Sequence, residues 1–586
     1  MKQYHVTVLA ALITSGLVGC SNQSSIPATG TTELKKTSSD TTPVLPTVAE
    51  QNRVQATASK ALSQAPLQGQ NTQYKVMLGR VLRAPGVLSA PMMMSGAMPR
   101  APKIDFQDTL NGEKYGQFHS NPVVRTAEQP VSTFSIDVDT GAYSNVRRIL
   151  RSGRLPPRDA VRIEELINYF DYAYAGETTR ARPFSITTEV GPVPWNPEKK
   201  LVHIGIKAVD IEARKAPPAN LVFLVDVSGS MRSADKLGLL KSSLKLLVGK
   251  MRPQDRISLV VYAGASGVVL EPVAGDQRFK ILQAVDSLSA GGSTNGGAGI
   301  RLAYRLARKA YIEGGINRIM LATDGDFNIG TTNFSSLKQL VERERESGIS
   351  LTTLGFGSGN YNDRLMEQLA DVGNGNFAYI DTLNEAQKVL VDQMSSTLNT
   401  VASDVKIQIE FNPALVAEYR LLGYENRLLK REDFNNDKVD AGEIGAGRTV
   451  TALYEISLVG GTDQAMDPLR YGQKKRAGGY NNELALLRLR YKSADGGASK
   501  LIEQPIMKTD MAADLASTTD RYRFSAAVAA FGQMLRGGTW LGQFSYDQIM
   551  MLARKARGED AFGYRGKFLG LVNLAKSLSA QYRVLR

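Results

Sequence analysis

The residues with the clearest capacity for chemistry lie at the end of one apolar run. The run Leu221 to Val225 leads directly into Asp226, and Ser228 and Ser230 follow at alternate positions. One carboxylate and two hydroxyls are hard oxygen ligands, which suit Mg²⁺ or Mn²⁺. The same residues also suit a polar turn after a buried strand. This stretch alone does not separate the two interpretations.

Two further segments carry polar residues that could join such a site. Thr294 lies in the glycine-rich stretch 289–297, ahead of a predicted helix, and Asp324 follows the short predicted strand Arg318 to Ala322 after one intervening threonine. In an open α/β sheet, ligands bind beyond the carboxyl ends of the parallel strands, where these segments converge. The sequence therefore predicts a cation site formed by the two serines, Thr294 and the two aspartates.

In their order and spacing, the five residues resemble the metal-ion-dependent adhesion site of von Willebrand factor type A domains. The resemblance implies that Ser228, Ser230 and Thr294 contact the cation directly or through water. It implies that Asp226 and Asp324 act largely through water or behind the direct ligands. The implied cation is Mg²⁺, with Mn²⁺ or Ca²⁺ as alternatives. Because neutral hydroxyls donate little charge, we expect the cation to accept an acidic side chain from a protein partner.

The elements around these residues alternate between strand and helix patterns from about 219 to 400. Such alternation predicts an α/β domain with a doubly wound parallel sheet, the Rossmann-like fold of von Willebrand factor type A domains. Strand-like segments precede the domain within 184–210 and follow it within 405–491. We predict that both sets form one β-sandwich, into which the α/β domain is inserted, with a small helical unit after it.

The predicted order of segments begins with a signal peptide and ends with a helical unit. The predicted bounds are 1–19 for the signal peptide, 20–125 for a disordered tether, 126–216 for an N-terminal module, 217–400 for the von Willebrand factor type A domain, and 401–586 for a C-terminal module that is β-rich over 401–500 and helical over 518–586. Segments 132–140 and 164–170 resemble the N-terminal module of bacterial von Willebrand factor type A lipoproteins. Segment 426–455 resembles their C-terminal module.

The single cysteine, Cys20, marks a predicted membrane attachment. The mostly apolar segment Val6 to Val18 follows a short basic start and is too short to span a bilayer. The sequence Leu17-Val18-Gly19-Cys20 resembles the bacterial lipoprotein signal, which is cut before the cysteine that carries the lipid. The resemblance implies a lipid-anchored envelope protein, and Ser21 favours the outer over the inner membrane. The alternative is an ordinary secretory signal with an incidental cysteine.

A second acidic pair, Asp137 and Asp139, lies on one side of a predicted strand. Alternating positions of a strand point to the same face, so the two carboxylates are neighbours. One interpretation is a metal site. The other is that the pair caps the backbone or forms ion pairs with Arg147 or Arg148.

A third acidic segment has the spacing of the start of a calcium loop. Asp433, Asn435 and Asp437 occupy alternate positions, as the first ligands of such loops do. Lys438 stands where the loop expects glycine, and Ile444 stands where it expects a closing glutamate. The segment therefore predicts a weak calcium site or an ordinary polar hairpin loop.

The formal net charge of +14 could favour an anionic partner, but no nucleic-acid recognition motif accompanies it. We therefore predict no nucleic-acid binding. The favoured function is an envelope lipoprotein that binds a protein through its cation. The alternative is a structural envelope organiser in which the metal only stabilises the fold. An enzyme is disfavoured because only three histidines are present, without the spacing of a hydrolase. The oligomeric state is left open.

Overall fold

The computed structural model describes residues 112–176, 178–179, 181–211, 215–293, 296–325, 334–467, 479–494 and 496–584. Its strands, in chain order, are β1 Val124–Arg125, β2 Val131–Ser135, β3 Phe184–Val193, β4 Asn196–Ala208, β5 Ala219–Asp226, β6 Arg256–Tyr262, β7 Ser266–Ala274, β8 Ile316–Thr323, β9 Ile349–Phe356, β10 Phe377–Ile380, β11 Thr400–Phe411, β12 Val416–Leu422, β13 Ile444–Gly445, β14 Thr449–Leu458, β15 Glu483–Ser493 and β16 Lys500–Met507.

The helices alternate with the strands in the middle of the chain and close it at the C-terminal end. In chain order they are α1 Gly141–Arg151, α2 Ile163–Asn168, α3 Leu239–Val248, α4 Arg278–Ser287, α5 Gly296–Lys309, α6 Phe334–Glu346, α7 Asp363–Val372, α8 Leu383–Gln387, α9 Met394–Leu398, α10 Asp520–Leu535, α11 Tyr546–Lys555 and α12 Tyr564–Val584. Within the described residues, no helix combines the length and the hydropathy needed to cross a bilayer.

The central sheet has the strand order β10-β9-β8-β5-β6-β7, with β5 in its interior. All eight residues of β5 are buried, because helices cover both faces of the sheet. Phe223 and Val225 pack on the side of α3 and α4, whereas Val222 and Leu224 pack on the side of α5 and α6. Successive side chains of a strand point to opposite faces, so a continuous apolar run is required here. The predicted doubly wound α/β domain is confirmed.

One strand of the central sheet departs from the parallel arrangement that the sequence predicts. Strand β7 pairs with β6 in antiparallel orientation, while the other pairings in the sheet are parallel. Only residues 263–265 separate the two strands. That connection suffices for a hairpin but is far too short for the crossover that a parallel pair requires.

The flanking strands form the predicted β-sandwich. One sheet has the order β1-β12-β14-β4-β3, and the other has β13-β11-β15-β16, with β2 paired to β11. Strand β4, which precedes the α/β domain, pairs with β14, which follows it, so that Tyr454 lies opposite Val202. Side chains of both sheets share one core, for example Ile204 and Ile407. The α/β domain is therefore an insertion between two halves of one sandwich.

The C-terminal helices pack on the N-terminal helices as well as on the sandwich. Phe524 of α10 and Phe568 of α12 contact Phe170, with ring centroids 5.1 and 5.6 Å away. Their shared core also includes Leu201 and Leu453 of the sandwich. The two ends of the described chain are thus joined by one hydrophobic core.

Candidate cation site

Asp226 ends β5 at the carboxyl edge of the central sheet, where it is fully buried. Its Oδ1 accepts the backbone N–H of Ser228 at 2.8 Å, and its Oδ2 accepts the hydroxyls of Thr323 at 2.9 Å and Tyr262 at 3.2 Å. Burial raises the pKa of Asp226, Asp324 adds to the rise, and the bonds from Ser228 oppose it. The carboxylate is thus held by neutral donors from its own turn and from both neighbouring strands.

Ser228 and Ser230 place two hydroxyl oxygens beside this carboxylate. Ser228 has extended backbone, and the chain then makes a short 3₁₀ turn over Gly229–Arg232. This geometry sets the Oγ atoms of the two serines 2.9 Å apart. Ser228 is buried and Ser230 is half-buried, so the pair faces the edge of the sheet. Two adjacent hydroxyls are suitable neutral ligands for a small cation.

The glycine-rich loop before α5 is bonded to the serine turn. The N–H of Gly291 donates to the carbonyl of Val227 at 2.8 Å, and the N–H of Gly229 donates to the carbonyl of Gly292 at 3.0 Å. Gly292 has a φ of +83°, which glycine adopts without strain. Thr294 lies outside the described residues, and its participation in the site stays a prediction.

Asp324 follows β8 at the same edge, and it is fully buried. The Lys236 ammonium donates to its Oδ2 at 2.9 Å, and the Asn360 amide donates to the same oxygen at 3.4 Å. Lys236 also donates to Asn360 Oδ1 at 3.2 Å. Its stem packs over Gly357, where a Cβ atom would overlap it at 2.2 Å. A buried cation of the chain itself therefore partly neutralises Asp324.

The structure brings the two aspartates and two serines to one edge, as predicted, and adds four side chains that sequence reasoning missed. Two of these had a signal in the sequence: Thr323 precedes Asp324 directly, and Tyr262 ends the next strand-like segment after Asp226. Lys236 and Asn360 had none. Their contacts with Asp324 span 88 and 36 residues.

The donor set fits a hard cation that keeps some of its water. Among the described residues, no group of three or more His, Cys, Asp and Glu side chains could enclose a metal ion. A soft-metal site or a carboxylate cage is therefore a poor description of this edge. Hydroxyl and carboxylate oxygens with few negative charges suit Mg²⁺ better.

Asp137 and Asp139 are engaged by a cation of the protein, although not by a predicted one. Arg427 donates from Nε to Asp137 Oδ2 at 2.9 Å, and its Nη2 lies 3.5 Å from Asp139 Oδ2. Arg147 instead pairs with Asp381 and Glu385, and Arg148 pairs with Glu113. The prediction of Arg147 or Arg148 as the partner is therefore wrong, whereas the predicted backbone capping is present, since Asp137 Oδ1 accepts the N–H of Asp139 at 2.8 Å. Nothing in the sequence pattern identifies an arginine 290 residues away.

The residues of the predicted calcium loop make contacts typical of a polar hairpin loop. Asp437 Oδ1 accepts from Arg490 Nη2 at 2.9 Å and from Ser499 Oγ at 2.7 Å. Asp433 Oδ2 accepts the backbone N–H of Lys430 at 3.2 Å, which closes a turn. Asn435 is exposed. Two of the three predicted calcium ligands thus already accept hydrogen bonds from the protein. Calcium binding at this loop stays a prediction.

Comparison with known proteins places this site in a family. Family models match residues 109–203 (von Willebrand factor), 220–393 (von Willebrand factor type A domain) and 396–578 (uncharacterized protein YfbK, C-terminal). The uncharacterized protein YfbK of Escherichia coli K12 is 47% identical over 528 residues, or 89% of each chain. The chain belongs to the YfbK family of von Willebrand factor type A proteins. Such domains generally mediate adhesion and protein interactions, and they commonly bind a metal ion at an adhesion site.

More distant relatives are similar to only part of this YfbK-family protein. The inter-alpha-trypsin inhibitor heavy chain H3 of Pongo abelii is 24% identical over 257 residues, which cover 41% of this chain and 29% of its own. A solved structure, von Willebrand factor type A from Catenulispora acidiphila, covers 64% of this chain and 87% of its own, at 15% identity and a TM-score of 0.37. Family membership rests on the Escherichia coli relative.

Proposed function

We propose that this protein is a cell-envelope lipoprotein that binds a protein partner through Mg²⁺ held beside Asp226, with Mn²⁺ or Ca²⁺ as alternative cations. The observation that carries the proposal is the pair of Ser228 and Ser230 hydroxyls, 2.9 Å apart, next to a buried carboxylate whose own bonds come from neutral donors. Such an arrangement offers oxygen atoms and little charge. It therefore leaves the cation in need of a further anionic ligand.

Each residue of the site has a distinct part in this proposal. The hydroxyls of Ser228, Ser230 and Thr294 would hold the cation, and Asp226 orients Ser228 through the backbone N–H that it accepts. Asp324 would balance the cation's charge only in part, because Lys236 already donates to it. When bound, the cation supplies an electrophilic position for an Asp or Glu of the partner. The proposed function is binding, without a catalytic step.

The proposed location follows from the predicted lipoprotein signal. Cys20 would carry the lipid, and the tether that follows it would connect the lipid to the folded part at the outer membrane. Cys20 and the chain up to residue 111 lie outside the described residues. Labelling cells with a radioactive or clickable fatty acid tests the anchor: wild-type protein should incorporate the label, and Cys20→Ala protein should not. Equal labelling would contradict it.

A pull-down from detergent-solubilised envelopes tests the proposed function. The partner should be recovered with wild-type protein in Mg²⁺, and it should be lost with a chelator or with Asp226→Ala. The exposed Asp286 is the matched control, since Asp286→Ala removes a carboxylate of the same domain away from the site. Equal recovery under all conditions would contradict cation-dependent binding. It would favour the alternative, a structural organiser of the envelope, if Mg²⁺ still raised the melting temperature.

A further inference from the structure

A cavity of about 1080 Å³ lies at the end of the central sheet opposite the cation site. One wall comes from the amino ends of β8 and β9, including Asn317 and Ser350, and the other comes from β11, β15 and β16 of the sandwich, including Thr400 and Ser493. Ligand sites are commonly found where two domains meet, and small-molecule pockets reach about 1,000 Å³. The cavity is therefore large enough for a ligand of several residues or a compact metabolite.

Arg318 carries a buried positive charge into the wall of this cavity. Its side chain belongs to β8, and the residue is only 3% exposed. Its Nη1 donates to Thr352 Oγ1 at 2.7 Å, but its Nε has no hydrogen-bond partner in the part of the chain that the structure describes. Among the described residues, no carboxylate forms an ion pair with it. A buried guanidinium without a carboxylate in ion-pair contact is costly, and it requires an explanation.

Glu443 faces the same cavity from the sandwich side. Its Oε2 accepts the Thr400 hydroxyl at 3.3 Å, and Oε1 makes no hydrogen bond within the described residues. Burial raises the pKa of Glu443 to about 7, while the charge of Arg318 lowers it. Both charges thus belong to the cavity, but they do not form an ion pair with each other. The buried Ser493 hydroxyl also lies in the lining, and it has no hydrogen-bond partner among the described residues.

The remaining charges make the cavity attractive to anions. Besides Arg318, the described residues of its lining contribute three basic side chains, those of Lys215, Arg345 and Lys500, and one carboxylate, that of Glu443. Arg345 already pairs with Asp440, whereas Lys500 is exposed. An excess of basic side chains around a concave, partly buried surface concentrates anionic ligands there.

We propose that this cavity binds a zwitterionic ligand, whose carboxylate pairs with Arg318 and whose amino group donates to Glu443. The planar guanidinium of arginine presents parallel N–H donors that match a carboxylate. The carboxylate of Glu443 accepts from an ammonium group, and the Ser493 hydroxyl adds a further hydrogen bond. Two sources share this chemistry, a free amino acid and the unblocked end groups of a short peptide.

Calorimetric titration of the full-length protein tests the proposal with four probes: glutamate, tri-alanine, tri-alanine amide and acetylated tri-alanine. Binding of glutamate alone identifies a free amino acid as the ligand, and tighter binding of tri-alanine identifies a peptide. For whichever ligand binds, Arg318→Met should weaken binding by about tenfold or more, since hydrogen bonds to charged groups are strong. The exposed Arg305 is the matched control, and Arg305→Met should bind as the wild type does.

The melting temperature of Arg318→Met and the binding behaviour of Glu443→Gln distinguish a loss of binding from a loss of structure. Arg318→Met should melt at or above the wild-type temperature without ligand, because it removes an unpaired buried charge. If that variant does not fold, Glu443→Gln replaces it and should reduce the dependence of binding on a free amino group. Failure of every probe to bind the wild type would overturn the proposal. The proposal would also be overturned if Arg318→Met bound the ligand with unchanged affinity. The same holds if binding by Glu443→Gln depended on the ligand's free amino group as strongly as binding by the wild type does.

Discussion

At the carboxyl edge of the central sheet, Asp226 is buried among hydroxyl and backbone N–H donors, whereas Asp137 and Asp139 are buried beside the guanidinium of Arg427. Arg427 lies 2.9 Å from Asp137 and 2.7 Å from Asp371. It thereby joins the N-terminal module, α7 of the α/β domain and the sandwich. The first group of carboxylates has neutral partners and one lysine, and the second has an arginine at its centre.

The difference between the two groups shows that acidic residues alone do not identify a metal site. Where an arginine fork supplies the positive charge, the carboxylates need no other cation, and the cluster holds the modules together. Where only hydroxyls and N–H groups donate to a carboxylate, its negative charge is not neutralised by the protein, and a bound cation can neutralise it. The partners of the acid, rather than its position on a strand, decide between structure and binding.

The largest expected effect on stability comes from removing the guanidinium of Arg427, the cation of the second group. Arg427→Met should lower the free energy of unfolding by about 3–5 kcal/mol, because it leaves buried carboxylates without their counter-ion. Urea denaturation at neutral pH measures the loss. The exposed Arg431 provides the control, and Arg431→Met should leave stability nearly unchanged. If both variants lose the same amount, Arg427 is not the central ion of this joint.

A buried carboxyl group that has neither neutral donors nor an arginine beside it should make the stability of the protein depend on pH. Glu164 is buried, and neither of its oxygens has a hydrogen-bond partner in the described residues. Burial raises the pKa of Glu164 from 4.5 to about 8, and Glu425 adds to the rise. The folded protein therefore holds this proton more tightly than the unfolded chain does. The resulting stabilisation is complete below pH 4.5 and is lost as the pH rises through about 8.

Glu164→Gln should remove that pH dependence, because the amide has no proton to lose. We expect the variant to exceed the wild type in unfolding free energy by about 1–3 kcal/mol above pH 8, and to match it near pH 5. Urea denaturation at both pH values measures the difference. Glu432→Gln, at an exposed position, should show the wild-type profile. A parallel loss of stability in Glu164→Gln and wild-type protein would show that the carboxyl is already ionised.

A smaller effect is expected on the Mg²⁺ affinity of the cation edge when Lys236 is replaced. Lys236→Met should tighten Mg²⁺ binding by about tenfold, because it removes a like charge that now lies 2.9 Å from Asp324. Calorimetric titration with MgCl₂ measures the change. Arg232→Met is the matched control, since Arg232 is exposed close to the same turn and should alter affinity little. Weaker Mg²⁺ binding in Lys236→Met would show that the lysine supports the site rather than competes for it.

The sequence allowed the proposed cation edge to be predicted because four of its five residues follow strand ends. The apolar run Leu221 to Val225 is typical of a strand buried on both faces, which places Asp226 at an edge of the sheet. The same logic placed Asp324 at that edge, and the strand-like segments on either side of the insertion predicted the sandwich. These inferences depend on periodicity and chain order, which are local properties.

The parts that could not be predicted depend on side chains that meet only after folding. The ion pair of Lys236 with Asp324 spans 88 residues, and that of Arg427 with Asp137 spans 290. Neither has a local signal, because many lysines and arginines could serve equally well until packing selects one. The same limit applies to Arg318, since the lack of an ion-pair partner for it among the described residues is a property of the assembled cavity.

The central claim is that the carboxyl edge of the sheet binds a divalent cation through hydroxyls. Calorimetric titration of the full-length protein with MgCl₂, compared with the variant Ser228→Ala/Ser230→Ala, tests it most directly. The wild type should bind one Mg²⁺ per chain, and the variant should lose about tenfold or more in affinity while keeping its melting temperature without metal. Equal Mg²⁺ affinity in the two proteins, or no binding by the wild type, would contradict the claim.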